Sequence, residues 1–239
     1  MVGAMHRLLA ALLALIAFAP PALAGERSYV VTGFDRVRVD GPFEVRVTID
    51  SSTSSRAKAT GDDRAIGSLD LSVQGSTLIV RKGNLGWNGP GKTPVIVEIT
   101  MPSLRAGTVI GGGKLAVGGR VRGDRIDFTV TGAGSIDAQG IDAQDLIVTL
   151  IGTGNIALAG KSAHARLLVN GDGMVAATPL SVGDLLVRLD GPGNVQASAR
   201  FNADVTTTGI GAITIAGTPR CRTYAPAGGP IICEGVRAQ

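Results

Sequence analysis

The residues whose types could do chemistry are few and scattered in this 239-residue chain. Asp124, Asp127, Asp137, Asp142 and Asp145 form the best acidic group, and Arg122 and Arg125 are interleaved with them. Cleavage or elimination of an acidic polysaccharide needs carboxylates, or a base plus a metal, converging on one groove. Paired with Arg122 or Arg125, this group could hold calcium and a uronate. Its spacing, however, reproduces no D-x-D-x-D-G metal loop, and solvent-facing turns collect the same residue types simply to stay soluble. His164 stands alone between Ala163 and Ala165, the pattern of a solvated outward position. No serine lies in a nucleophile-elbow context. No catalytic, cofactor-binding or metal-ligating set is therefore assigned, and no cofactor is expected.

Two other features invite chemistry. The Gly-rich polar segment 83–92 carries Trp87, the only tryptophan. Placed between two strand patterns, Trp87 is the one candidate for partner contact, by stacking on a sugar or anchoring a protein. Its alternative is to fold back and seal a sheet edge. Cys221 and Cys233 are the only cysteines, 12 positions apart. In an oxidising compartment they are expected to form a disulfide, which stabilises by roughly 2–3 kcal/mol if unstrained.

That compartment is indicated at the N-terminus. His6 and Arg7 precede an apolar run from Leu8 to Ala19, followed by Pro20-Pro21 and Ala22-Leu23-Ala24. A basic start, a short apolar middle and a small-x-small ending make residues 1–24 a secretory signal peptide, cleaved after Ala24. The run falls short of the roughly 20 apolar residues a membrane span needs. The mature chain 25–239 is expected to be exported, to the periplasm, the cell surface or the medium, without a transmembrane segment. Its formal net charge is +4, but Lys and Arg occur singly or at alternate positions, as in Arg36 with Arg38. Alternation marks outward strand faces rather than a phosphate-binding stripe. With aromatics at 3% there is little to stack bases on, so nucleic acid is not an expected partner.

The elements that must position these residues are written in a repeat. A 44% hydrophobic fraction excludes wholesale disorder, and the 35 glycines lack the three-residue spacing of collagen. Instead, Gly-x-Gly-x-aliphatic recurs as Gly111 to Leu115, Gly132 to Ile136, Gly152 to Ile156, Gly171 to Val175, Gly191 to Val195 and Gly209 to Ile213. The first glycines are 21, 20, 19, 20 and 18 residues apart. A degraded seventh copy is expected to begin at Gly228. A period near 20 means a solenoid.

Period-two alternation flanks each motif, for example Leu146, Val148 and Leu150 before Gly152, then Ile156 and Leu158 after it. Each coil thus holds at least two short strands, and each inward aliphatic stacks on its counterpart one coil away, about 4.8 Å off. Residues 25–102 show other strand patterns, read as opening or cap strands over the first coil. Residues 103–239 are the Gly-x-Gly coils. With no linker between them, 25–239 is read as one continuous domain.

Phe34-Asp-x-Val-x-Val-x-Gly-x-Phe-x-Val-x-Val47, Thr60-Gly-Asp62, Gly75-x-x-Leu-x-Val80, Val95-x-Val-x-Ile-x-Met-Pro102 and the Gly-x-Gly blocks together resemble the GIN-type head-domain family, described as the head of an auto-transporter adhesin. The resemblance covers essentially residues 30–220. It implies an all-β fold, a right-handed single-stranded β-helix, in an exported bacterial envelope protein, and it carries over no catalytic residues. Self-export would require a membrane barrel of many strands of about 9–11 residues. The chain is expected to be the head alone. The function this supports is a non-catalytic, adhesin-like binding or structural module whose partner is an envelope protein or a glycan, with association between copies left open. The alternative is a polysaccharide-active β-helix lyase or hydrolase.

Overall fold

The alternating patterns become stacked strands because a half-apolar ribbon can bury one face only against a copy of itself. The computed structural model describes residues 25–83 and 95–234. Its 17 strands form one continuous sheet, wound into a β-solenoid. In the repeat region, strands run around the corners of the coil: β10 is Val121–Gly132, β11 Ser135–Gly152, β12 Asn155–Asn170, β13 Met174–Asp190 and β14 Asn194–Thr207. Each pairs in parallel with the next.

Three faces result. The first holds residues 125–132, 145–152, 164–170, 184–190 and 202–207, which lead into the glycine motif. The second holds 135–138, 155–158 and 174–177, which follow it. The third is short, with 121–123, 141–143 and 160–162 in register. Two strands per coil were legible in the alternation. The third was hidden because only two or three residues separate its corners.

The coils also extend into the segment read as a cap. Strands β2 (Arg36–Asp40) and β3 (Glu44–Ile49) form a coil of their own, followed in the stack by β8 (Ala106–Ile110) and β9 (Lys114–Gly119). On their other side lie β6 (Thr77–Lys82) and β7 (Ile96–Met101), again parallel. The first coil in sequence is therefore clamped between two later ones. Covering is done by β5 (Leu69–Gln74), antiparallel on β6, and by β4 (Arg56–Gly61), antiparallel on β7, with β1 (Gly25–Tyr29) antiparallel on β4. Reversed strands give the β6–β7 coil its outer partners while ending the parallel stack. The one-turn helix α1 (Asp63–Gly67) joins β4 to β5, and the Asp62 carboxylate accepts from the Arg64 and Ala65 amides.

Phase corrects the expectation for the last motif. Ile231, not Ile232, sits opposite Ile213, and Gly229 rather than Gly228 lies against the backbone of Gly209 and Gly211. The seventh copy thus begins one residue earlier, at Ala227, with Ile232 left 58% exposed. Cys221 on β16 (Arg220–Tyr224) and Cys233 on β17 (Ile231–Cys233) are disulfide-bonded, Cα to Cα 6.7 Å. The bond ties the first and second faces of the last coil, which has no following coil among the described residues. Reduction is expected to lower stability by roughly 2–3 kcal/mol, read as a shift of the urea midpoint.

Inward columns of aliphatics make the core. Val80, Val39, Val109, Val130, Leu150 and Val169 stack rung on rung and are all buried. In the adjoining column Phe128 is fully buried because the rung before it is Gly107. A Cβ on Gly107 would stand 2.8 Å from Leu115 Cδ2 and 3.0 Å from the Phe128 ring. Gly107→Val should cost about 1–3 kcal/mol by overpacking, and Phe128→Leu in the same chain should recover part of it. Chemical denaturation of the two variants checks this.

Candidate functional site

Stacking in register turns one position per coil into a row. Seven residues before the five motifs that begin at Gly132, Gly152, Gly171, Gly191 and Gly209 stand Arg125, Asp145, His164, Asp184 and Asn202, and the backbone pairs each with the next. With coils about 4.8 Å apart, the row from Arg125 to Asn202 spans roughly 19 Å. Two residues on, a second row begins Asp127, Ile147, Arg166, Leu186 and Asp204. Between the rows Leu146, Ala165 and Leu185 are buried. Where the rows pass, the surface sinks into a trough of about 460 Å³ lined by both.

The trough is polar, and the Asp184 carboxylate lies at its centre. Asp184 accepts from Asn202 Nδ2 at 2.6 Å through Oδ1, and its Oδ2 lies 3.4 Å from His164 Nδ1. One carboxylate therefore meets side chains on the coils either side of its own. Arg125 turns to Asp127 at 3.2 Å, and Asp204 meets Arg222 at 3.4 Å. Among the described residues, Asp145 and Arg166 form no ion pair, so an acceptor and a donor face the trough uncommitted. His164 is outward, as its neighbours in sequence indicated, with its side chain 60% exposed. It is not lone. Counting back seven residues from the glycine motifs at 132, 152, 191 and 209 would have found its companions in the sequence.

The acidic group read from the sequence does not converge. Asp124 is exposed at a corner, Asp127 lies beside Arg125 on the first face, and Asp137 accepts from Gln139 on the second. Asp142 is on the third face, and only Asp145 lines the trough. Three faces point three ways, so adjacency in sequence is not adjacency at a site. Among the described residues no group of three His, Cys, Asp or Glu could hold a metal ion. Trp87 lies outside the described residues.

Asp142 forms a separate ladder, accepting from Arg122 at 3.1 Å on one coil with Lys161 Nζ 3.5 Å away on another. Partial burial alone would raise its carboxyl, but these two cations outweigh it and hold it below the usual carboxylate range. A folded value below the unfolded one gives stability that is present above the unfolded value and lost as pH falls through the folded one. Asp142→Asn should therefore unfold at a slightly lower temperature than the parent near neutral pH. The difference should close in acid, which thermal melts across pH will show.

Comparison with solved structures places this architecture. The chain is similar to a "putative adhesin" from Bacteroides fragilis NCTC 9343 at 22% identity, covering 90% of this chain and 98% of that one, with a TM-score of 0.82. It is also similar to a "putative adhesin" from Parabacteroides distasonis ATCC 8503 at 16% identity, covering 88% and 96%, with a TM-score of 0.73. A "putative lipid binding protein" from the same organism matches at 16% identity, covering 89% and 97%, with a TM-score of 0.72. At these identities the likeness is one of fold. No curated protein matches the sequence. The family model described as "Putative auto-transporter adhesin, head GIN domain" matches residues 33–219, and with the repeat, the stacked coils and the solved relatives in agreement, the chain belongs to that family.

Proposed function

We propose that this protein is an exported, non-catalytic binding module of the bacterial envelope, and that its first face is the binding surface. Three things support the reading. The family is described as an adhesin head, residues 1–24 have the order of a cleaved leader, and the coils display an open trough with uncommitted polar groups. The trough is the observation that carries it. A rigid stack that repeats every 20 residues or so offers a ligand preorganised groups at little ordering cost.

The concavity also favours a second reading, a polysaccharide-active enzyme. The Asp184 carboxylate lies 3.4 Å from His164 Nδ1, a juxtaposition also used by a general base and its orienting group. Against a uronate substrate stands the charge of the lining, three carboxylates (Asp145, Asp184, Asp204) to two guanidiniums (Arg125, Arg166).

The test is saturable binding of the purified protein to isolated bacterial envelopes by biolayer interferometry. Saturation is expected, and a flat response overturns the binding reading. Chain shortening of a polysaccharide by the protein, seen by mass spectrometry, would favour the enzyme. A Trp87→Ala variant separates the two candidate contacts, because binding through the trough should survive it whereas binding through segment 83–92 should not.

A further inference from the structure

We propose that the trough binds an uncharged linear glycan laid along the solenoid axis, one sugar ring to about one coil. The inference rests on the binding-module reading and names its ligand class. Because the coil repeats, groups of the same kind of reach recur at each rung: Asp145, His164 and Asp184 in one row, Ile147, Arg166 and Leu186 beside them. A ligand that matches a ladder of rungs is itself a ladder. Pyranose rings in an extended chain advance by about one rung each, so successive hydroxyl pairs meet successive coils.

The chemistry of each rung fits a sugar's two surfaces. Neighbouring hydroxyls ask for an acceptor beside a donor. Asp145 and Arg166 supply both without giving up a partner in the protein, and the outward face of the Asp184–Asn202 pair supplies them again one coil on. The C–H faces of the rings ask for apolar contact, and Ile147 and Leu186 flank Arg166 in the second row, Leu186 being 39% exposed. A wholly apolar ligand would strand the charged groups, and that desolvation is costly. A polyanion would meet three carboxylates against two guanidiniums, one of which already faces Asp127. A neutral polyol meets neither penalty. Both rows continue across five successive coils, so the trough would take an internal stretch of a polymer rather than a chain end.

The experiment is a titration of the isotopically labelled protein by amide NMR with hexasaccharides of β-1,4-glucan, β-1,4-mannan and β-1,3-glucan, and with hexagalacturonate as the charged comparison. The expected result is saturable shifts from at least one neutral hexasaccharide, confined to amides around residues 145–147, 164–166 and 184–186. Affinity should rise from the disaccharide to the hexasaccharide. Asp184→Asn and Arg166→Ala should each weaken it by about tenfold or more, since each removes a charge-assisted hydrogen bond. Arg46→Ala, on the second face, should leave it unchanged. Both trough positions are solvent-facing, so circular dichroism should show the variants folded.

Failure of all three neutral oligomers to shift these amides overturns the proposal, as does binding of hexagalacturonate alone. So does full affinity in both trough variants. If the protein still saturates on isolated envelopes while the trough variants bind them equally well, the module reading stands and this site falls. If envelopes are not bound at all, the broader reading falls with it.

Discussion

Gly154→Ala should cost more than about 3 kcal/mol, one methyl group against an entire coil's register. A Cβ at Gly154 would stand 2.4 Å from the Gly134 carbonyl oxygen and 2.7 Å from Val130 Cγ1. The carbonyl is backbone and belongs to the preceding turn, so it cannot rotate away. Relief would require lifting one coil from the next at the corner where Asn155 N–H donates to the same Gly134 oxygen at 3.0 Å. The neighbouring Gly152 carries a second demand, a φ of +114° that side chains resist. The two glycines of the motif thus have different jobs, one turning the chain and the other letting coils touch.

The matched control is Gly112→Ala, the middle residue of the Gly111 copy. A Cβ there meets nothing within 4 Å, and its φ is not in the left-handed region. Its change should be neutral or slightly stabilising, by up to about 1 kcal/mol, through loss of freedom in the unfolded chain. Urea unfolding of the two variants measures the contrast. Equal effects would mean that glycine here is mere composition rather than a stacking device.

Val39→Asp is expected to dismantle the N-terminal end of the stack. Val39 is wholly buried between Val80 and Val109 on β2. An unpaired carboxylate there costs several kcal/mol, about as much as single substitutions ever do. Because β2 and β3 lie between β6–β7 and β8–β9, losing them unseats two coils that are distant in sequence. Solenoid stability is a sum of nearest-neighbour terms, so the damage should stay near that end. Hydrogen exchange should show lost protection in β6 to β9 and retained protection in 145–152 and 164–170. Val30→Asp, at a residue 98% exposed, should change neither. Uniform loss throughout would mean the coils fold as a single cooperative unit.

The repeat made much of the fold legible. Ile126, Phe128 and Val130, and their equivalents through Ala203, Val205 and Thr207, are buried where the alternation put them. What escaped was phase and order. The coil of β2 and β3 keeps the first glycine of the motif as Gly41 but has Phe43 where the second belongs, so pattern matching passes over it. Nothing local in the chain tells that this coil waits for β8, which arrives some 70 residues later. The site was hidden for a similar reason. Arg125, Asp145, His164, Asp184 and Asn202 are of four residue types and share no sequence neighbourhood. They share only a distance to the next glycine motif, and that matters once coils are known to stack in register.

The most direct test of the account is a hydrogen-exchange footprint of the protein on isolated envelopes, compared with the free protein. Added protection is expected around residues 145–147, 164–166 and 184–186, with the second face, including residues 155–158 and 174–177, unchanged. Saturable binding that protects the second face and leaves the trough exchanging as in the free protein would contradict it.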